Sequence, residues 1–152
     1  MKRKIIAVIG GNNAAKKHIE AAYKAGNEIA RRGAVLVCGG LSGVMEASCR
    51  GAKKGGGITI GILPSKSGKT ANKYVDIPVA TGMGEARNVV IVNTADAFVA
   101  IDGKEGTLSE LAFALKAGKP VAGIDTYDIP GIMKCAGPEE AVEKVFLKLE
   151  GA

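Results

Sequence analysis

Short apolar runs that stop at glycines, each followed by a helical pattern, constrain this chain more than any other feature. Ala97-Phe98-Val99-Ala100-Ile101 is continuously apolar and breaks at Asp102-Gly103-Lys104-Glu105-Gly106. Beyond that break, Leu108, Leu111, Ala112 and Leu115 recur at helical spacing as far as Gly118. A strand apolar on both faces belongs in a sheet covered on both sides, and a helix between consecutive strands makes them parallel. The alternation runs the length of the chain. Residues 5–9 predict a buried first strand ended by Gly10-Gly11. Residues 14–32 carry Ile19, Ala22, Tyr23, Gly26, Ile29 and Ala30 on one stripe, an amphipathic helix stopped at Gly33. Strands at 35–37 and 58–63 bracket a helix marked by Met45, Ser48, Cys49 and Ala52 and ended by Gly55-Gly56-Gly57. The polar segment 65–74 reads as a mobile surface loop. Residues 75–79, interrupted by Pro78, read as at most a short or edge strand. A helix over 85–95, a strand over 120–124 and a last helix opened by Pro138 complete the pattern; Val142, Val145, Phe146 and Leu149 form the last helix's apolar face. The expected fold is α/β: a single doubly wound, Rossmann-like parallel sheet with helices on both faces, one domain over residues 1–152.

Composition narrows the function classes. With 47% hydrophobic and 24% charged residues the chain is ordinary for a globular protein. No apolar run exceeds strand length, against the roughly 20 residues a membrane helix needs. Met1-Lys2-Arg3-Lys4 leads into a strand-length run and two glycines, not a secretory signal. Cys38, Cys49 and Cys135 are far apart in sequence and form no Cys-x-x-Cys pair, and His18 is the single histidine. Neither a disulfide framework nor a metal site is expected, and a cytoplasmic location follows. The formal charge of +6 is dispersed over Lys16, Lys17, Lys24, Arg31, Arg32, Lys66, Lys69 and Lys73. Aromatic residues make up 4%, which leaves no stacking platform for bases, so nucleic acid is not an expected partner.

The 22 glycines are about twice the usual share of roughly 7%. They cluster where strands meet helices, the junctions at which α/β proteins bind ligands on converging backbone N–H groups and a helix dipole. Gly39-Gly40-Leu41-Ser42-Gly43 is one such loop, a phosphate cradle or, more blandly, a tight turn. Gly103-Lys104-Glu105-Gly106-Thr107 is the other, with Gly10 and Gly11 ending the first strand on the same edge. Thr107-Leu108-Ser109-Glu110 also satisfies the pattern of a capping box, in which Thr107 and Glu110 would serve each other's N–H groups. Arg87, the only arginine after Arg50, stands near the start of a helix, either as an anion fork or as a surface partner of Glu85. Gly68-Lys69-Thr70 imitates the end of a P-loop, but Leu63 occupies the position that needs a glycine, which excludes that ATPase motif. Cys38, Cys49 and Met45 are read as core.

Together these residues resemble the LOG-like Rossmannoid family. It includes cytokinin-activating nucleoside-monophosphate phosphoribohydrolases and has also carried the label lysine decarboxylase. Within it the chain is most similar to the short subgroup that contains the molybdenum-cofactor carrier proteins. The first family loop, three glycines followed by x-x-Gly-Leu-Met-Gly, is matched from Cys38 to Glu46. There Cys38 and Glu46 stand for glycines and Val44 for leucine. The second, Pro-Gly-Gly-x-Gly-Thr-x-x-Glu, is matched from Asp102 to Glu110, with Asp102 for proline and Lys104 for glycine. The resemblance implies a catalytic pair of Arg87 and Glu110, while Asn88 replaces the lysine that commonly follows the arginine in the hydrolases. Glu46 and Asp102 bring negative charge toward the cradle, and Lys104 offsets it.

The leading expectation is binding of a nucleotide or phosphorylated pterin cofactor, with the molybdenum cofactor or an AMP-like nucleotide as ligand and without chemistry. The alternative is cleavage of the N-glycosidic bond of a nucleoside 5′-monophosphate, and an anion sensor or scaffold is a third class. Lysine decarboxylation is not expected, since no lysine stands in an evident cofactor motif. A homo-oligomer is expected, because Val89-Val90-Ile91-Val92 makes its helix apolar nearly all round and because the resemblance implies one.

Overall fold

The structure, a computed structural model, describes residues 2–151. Strand β1 (Ile5–Gly10) leads through helix α1 (Lys16–Arg31) to β2 (Val35–Cys38), then through α2 (Val44–Lys54) to β3 (Thr59–Leu63) and β4 (Ile77–Ala80). Helix α3 (Arg87–Thr94), β5 (Ala97–Ile101), α4 (Glu105–Lys116), β6 (Val121–Ile124), β7 (Ile132–Lys134) and α5 (Pro138–Glu150) follow. All seven strands are parallel, in the order β4-β3-β2-β1-β5-β6-β7. The chain walks outward from β1 to β4, then returns to set β5 on the other side of β1, from Ile6 opposite Ala97 to Gly10 opposite Ile101. The walk reverses between β1 and β5, and a crevice opens beyond their C-terminal ends, the usual ligand position in such sheets.

Alternate residues of the central strands feed two cores. Ile6 and Val8 of β1, with Ala97, Val99 and Ile101 of β5, pack under α1, α2 and α5. Ala7 and Ile9, with Phe98 and Ala100, pack under α3 and α4. The doubly wound sheet is therefore as read from the apolar runs. The edge strand β4 is exposed along its whole length, and Pro78, which has no N–H to give, sits there as expected.

Helices α1 and α2 meet backbone to backbone. A Cβ at Gly26 would lie 2.0 Å from the Ser48 carbonyl oxygen, and one at Gly51 would lie 1.9 Å from that of Tyr23. Each glycine thus admits the partner helix's main chain. The Asn27 amide bridges the pair by donating to the Gly51 carbonyl at 3.3 Å.

Several local expectations are corrected. Helix α4 begins at Glu105 with Lys104 as its cap and no side-chain capping bond, so the Thr107–Glu110 capping box does not form. The positive φ of Asp102 (52°) and Gly103 (109°) turns the chain early, and the helix is under way before Thr107 arrives. The helix predicted over 85–95 is shorter, because Gly84–Ala86 forms a single 3-10 turn ahead of α3. Strand β7, three residues long, had no legible period and was missed. Cys38 and Cys49, distant in sequence, lie buried with their sulfurs 3.4 Å apart. That separation is a thiol contact, well beyond the ~2.05 Å of a disulfide.

Helix propensity favours alanine over glycine by about 1 kcal/mol. At Gly26 and Gly51 the opposite outcome is expected: Gly26→Ala and Gly51→Ala each destabilise by roughly 1–3 kcal/mol through overpacking. Urea unfolding of both variants checks this, and a stability at or above the wild type would show that the helices can part without cost.

Candidate functional site

At the sheet's reversal lies a cavity of about 310 Å³, at the small end of the roughly 300–1,000 Å³ typical of ligand sites. Four segments line it: Gly10 to Asn13 after β1, Gly39, Leu41 and Met45 after β2, Glu85 to Asn88 at the head of α3, and Asp102 to Glu110 after β5. Of the residues singled out in the sequence, Gly10, Gly11, Gly39, Arg87, Gly103, Lys104, Gly106, Thr107 and Glu110 meet on this cavity.

Gly40, Ser42 and Gly43 stand outside its lining, and contacts within the fold account for each. A Cβ at Gly40 would lie 2.6 Å from the Leu63 side chain. Gly43 has φ +66°, and its Cβ would be 2.3 Å from the Gly11 carbonyl oxygen. The Val44 N–H donates to that same oxygen at 3.1 Å, which fastens the two loops together. The Ser42 hydroxyl is held by Asn12, within 3.3 Å of its carbonyl oxygen and 3.2 Å of its Oδ1. Asn72, in the segment read as a mobile loop, braces the same stretch. Its N–H donates to the Gly40 carbonyl at 2.9 Å and its side-chain amide to the Leu41 carbonyl at 2.8 Å.

Arg87 is buried, not a surface partner of Glu85. Its Nε donates to the Ile62 carbonyl at 2.8 Å, its Nη2 reaches the Gly39 carbonyl at 3.5 Å, and its Nη1 donates to Asn88 Oδ1. The Asn88 amide in turn reaches Ser109 Oγ at 3.3 Å and the Gly106 carbonyl at 3.5 Å. Asn88 thereby joins the head of α3 to the first turns of α4. Sequence reasoning registered it only as a departure from the hydrolase pattern. Asn12 and Asn13 were missed altogether, although their place directly after Gly10-Gly11 was a signal.

Glu110 is buried, and among the described residues it makes no ion pair with Arg87. Burial pushes its carboxyl up to about 8; the Arg87 charge opposes that rise and Glu85 adds to it. At neutral pH it is mostly an uncharged acid, able to donate a hydrogen bond. The first turn of α4 supplies N–H groups and the positive dipole end beside it, with Lys104 as the adjoining cation. A Cβ at Gly106 would meet nothing nearer than Glu85 Oε2 at 3.9 Å, so glycine there keeps cavity space open. Asp102 lines the cavity, whereas Glu46 does not.

A glycine-looped cavity at the reversal of a parallel sheet, bearing the Arg87 and Glu110 positions, defines a LOG-like Rossmannoid protein. Residues 3–146 match the model of the SLOG cluster4 family, and the chain belongs to that family. An uncharacterised protein of Archaeoglobus fulgidus is 47% identical over 143 residues, covering 93% of this chain and 94% of its own. A cytokinin riboside 5′-monophosphate phosphoribohydrolase of Mycobacterium tuberculosis is 32% identical, over 76% of this chain and 61% of its own length. The chain spans about half the length of the curated phosphoribohydrolases it matches, from 39% to 61%. Among solved structures, the molybdenum cofactor binding protein of Rippkaea orientalis superposes with a TM-score of 0.93 at 38% identity, covering 98% of this chain and 99% of its own. The molybdenum cofactor carrier protein of Chlamydomonas reinhardtii gives 0.88 at 35% identity, covering 97% and 99%. Among the described residues no helix is long and apolar enough to cross a membrane.

The raised Glu110 value carries a sign for stability. The folded chain holds this proton to about pH 8, whereas an unfolded glutamate releases it near 4.3. Its contribution is fully present below the unfolded value and is lost as pH rises through about 8. Between pH 4 and 9 the wild type is expected to lose on the order of 3–5 kcal/mol from this group. Glu110→Gln should remove that part of the pH dependence. Urea unfolding across the range checks it, and parallel curves for the two proteins would show that Glu110 ionises freely in the fold.

Proposed function

We propose that this protein binds a phosphorylated pterin cofactor or a nucleotide in the β1–β5 cavity and holds it without efficient turnover, as a carrier does. One observation carries the reading: the Arg87 guanidinium is engaged by Ile62, Gly39 and Asn88 while Glu110 is buried and mostly uncharged. A phosphoribohydrolase needs a carboxylate facing an oxocarbenium-like sugar, and a neutral acid supplies no such charge. Full-length similarity to two molybdenum cofactor binding proteins supports the same choice. The phosphate would rest on the α4 N-terminus and Lys104, with Gly11 and Gly106 leaving room for close approach. The three free thiols suit a reducing compartment, the cytoplasm.

The hydrolase reading retains one support, since a phosphoribohydrolase of Mycobacterium tuberculosis is 32% identical over 76% of this chain. The deciding experiment measures release of free base from a panel of nucleoside monophosphates, alongside binding of the same compounds and of a phosphorylated pterin, for wild type and Glu110→Gln. Binding is expected in both proteins; a ligand at 100 times its Kd raises stability by about 2.7 kcal/mol. Base release is expected to stay slow. Rapid release by the wild type, abolished by Glu110→Gln with binding intact, would make the protein a hydrolase.

Gly106→Ala separates binding from folding. The variant should be as stable as the wild type or up to about 1 kcal/mol more so, because alanine suits a helix better. Its methyl enters the cavity, so ligand binding should fall by at least an order of magnitude, about 1.4 kcal/mol. Unchanged affinity measured by calorimetry would remove the cavity from consideration.

We also propose a homo-oligomer. Ile77, Val79, Met83 and Val89 remain exposed at 48%, 38%, 47% and 37%, more apolar surface than a covered edge would leave. Light scattering at micromolar concentration should return a multiple of 15.5 kDa; the single-chain mass would contradict the proposal.

A further inference from the structure

The chain's one histidine lies outside everything assigned so far. His18, on α1, is 7% exposed and sits between two aspartates. Its Nε2 is 3.1 Å from Asp125 Oδ2, and its Nδ1 is 3.6 Å from Asp102 Oδ2. Nδ1 is buried and has no hydrogen-bond partner. The two carboxylates are faced by different ring nitrogens, so the arrangement is a bridge and not a chelate for one metal ion.

The backbone marks the same three residues. Ile101 of β5 pairs with Ile124 of β6, which makes Asp102 and Asp125 the next residues on adjacent strands. Both have positive φ, 52° and 50°, the non-glycine residues among those described that do. A left-handed aspartate is strained, and such strain persists where surrounding contacts impose it. The Thr126 hydroxyl donates to the Asp102 carbonyl at 2.7 Å, tying the two turns a second time. Asp102 is also a wall of the cavity, directly before Gly103 and Lys104.

We propose that His18 is a positioning residue whose doubly protonated ring bridges Asp102 and Asp125, holds the 102–104 loop in its ligand-facing shape, and so links binding in the cavity to proton uptake. Only the imidazolium has N–H groups on both nitrogens. The neutral ring presents a lone pair to one carboxylate, and the bridge opens on that side. Protonation also offsets the Asp102 charge beside a site for anions. Histidine is the side chain that changes charge between about pH 5 and 8. The other charged groups near the ring are few. Lys17 pairs with Asp125 at 3.5 Å, and Lys17, Glu20 and Lys24 line the small hollow on the ring's outer side. The α5 side of that hollow is Ala136 and Pro138, while Glu140 turns back to the Ala136 N–H and Lys144. The hydrogen bond from His18, aided by Lys17, holds the Asp125 carboxyl below the usual carboxylate range.

The consequence for affinity rests on the carrier reading; the tether itself does not, and the experiment keeps them apart. With a single histidine in the chain, its ring signals are unambiguous in a proton–carbon NMR titration. In the ligand-free wild type, the Gly103 and Lys104 amide signals should move with the His18 midpoint, and in His18→Gln they should not. Asp102→Asn and Asp125→Asn should each uncouple the Gly103 and Lys104 amides from the His18 ring signals. These two variants also keep the test alive if His18→Gln does not fold. With AMP as the probe, wild-type affinity should weaken about fivefold or more from pH 6 to pH 8 beyond the change in His18→Gln. The comparison cancels the phosphate's own titration near pH 6. Loop amides indifferent to His18, or still coupled to its ring signals in both aspartate variants, would overturn the proposal whatever AMP does. An intact loop titration with no AMP binding at either pH would uphold the tether and count against the nucleotide reading.

Discussion

The main-chain contact between α1 and α2 is the constraint on which the rest of the molecule depends. Gly26 and Gly51 let two helices lie closer than side chains would permit. That approach brings the loops entering them, after β1 and after β2, within hydrogen-bonding distance at Val44 and Gly11. The cavity needs both loops, because one wall comes from each. A chain with the same strands but bulkier residues at this crossing would keep its sheet and separate the walls of its site. The glycine excess therefore has two physical origins, helix contact and ligand loop, and only the second concerns function directly.

The chemistry of the cavity turns on how one arginine and one glutamate are occupied. Arg87 faces backbone carbonyls and the amide of Asn88, and Glu110 lacks a charged partner close enough to hold its negative charge. A lysine in place of Asn88 could not accept the Arg87 hydrogen bond, and its charge would repel the guanidinium. Asn88 thus helps to fix where the Arg87 guanidinium points in this chain.

Much of this was legible from the residues. Apolar runs ended by glycines gave the parallel sheet, since a strand buried on both faces leaves an unbroken pattern. Pro78 marked an edge strand, and the two glycine loops marked the edge of the sheet that holds the cavity. What was hidden depended on distance in space. Thr107 and Glu110 satisfy a capping rule on paper, but the backbone turns at Asp102 and Gly103 start the helix three residues too soon. Ser42 and Gly43 read as phosphate ligands, while the structure sets them outside the cavity lining, beside Asn12 and Gly11. Strand β7 is too short to show a period, and the approach of Cys38 to Cys49 has no sequence signal at all.

Asn72 changes what the polar 65–74 segment does to the energetics of the cavity. Its two hydrogen bonds secure the backbone at Gly40 and Leu41, so this part of the loop loses its conformational entropy on folding and not on meeting a ligand. Preorganisation of that kind lowers the ordering cost of association. For the ligand proposed for this cavity, affinity would then be set mainly by how long it stays.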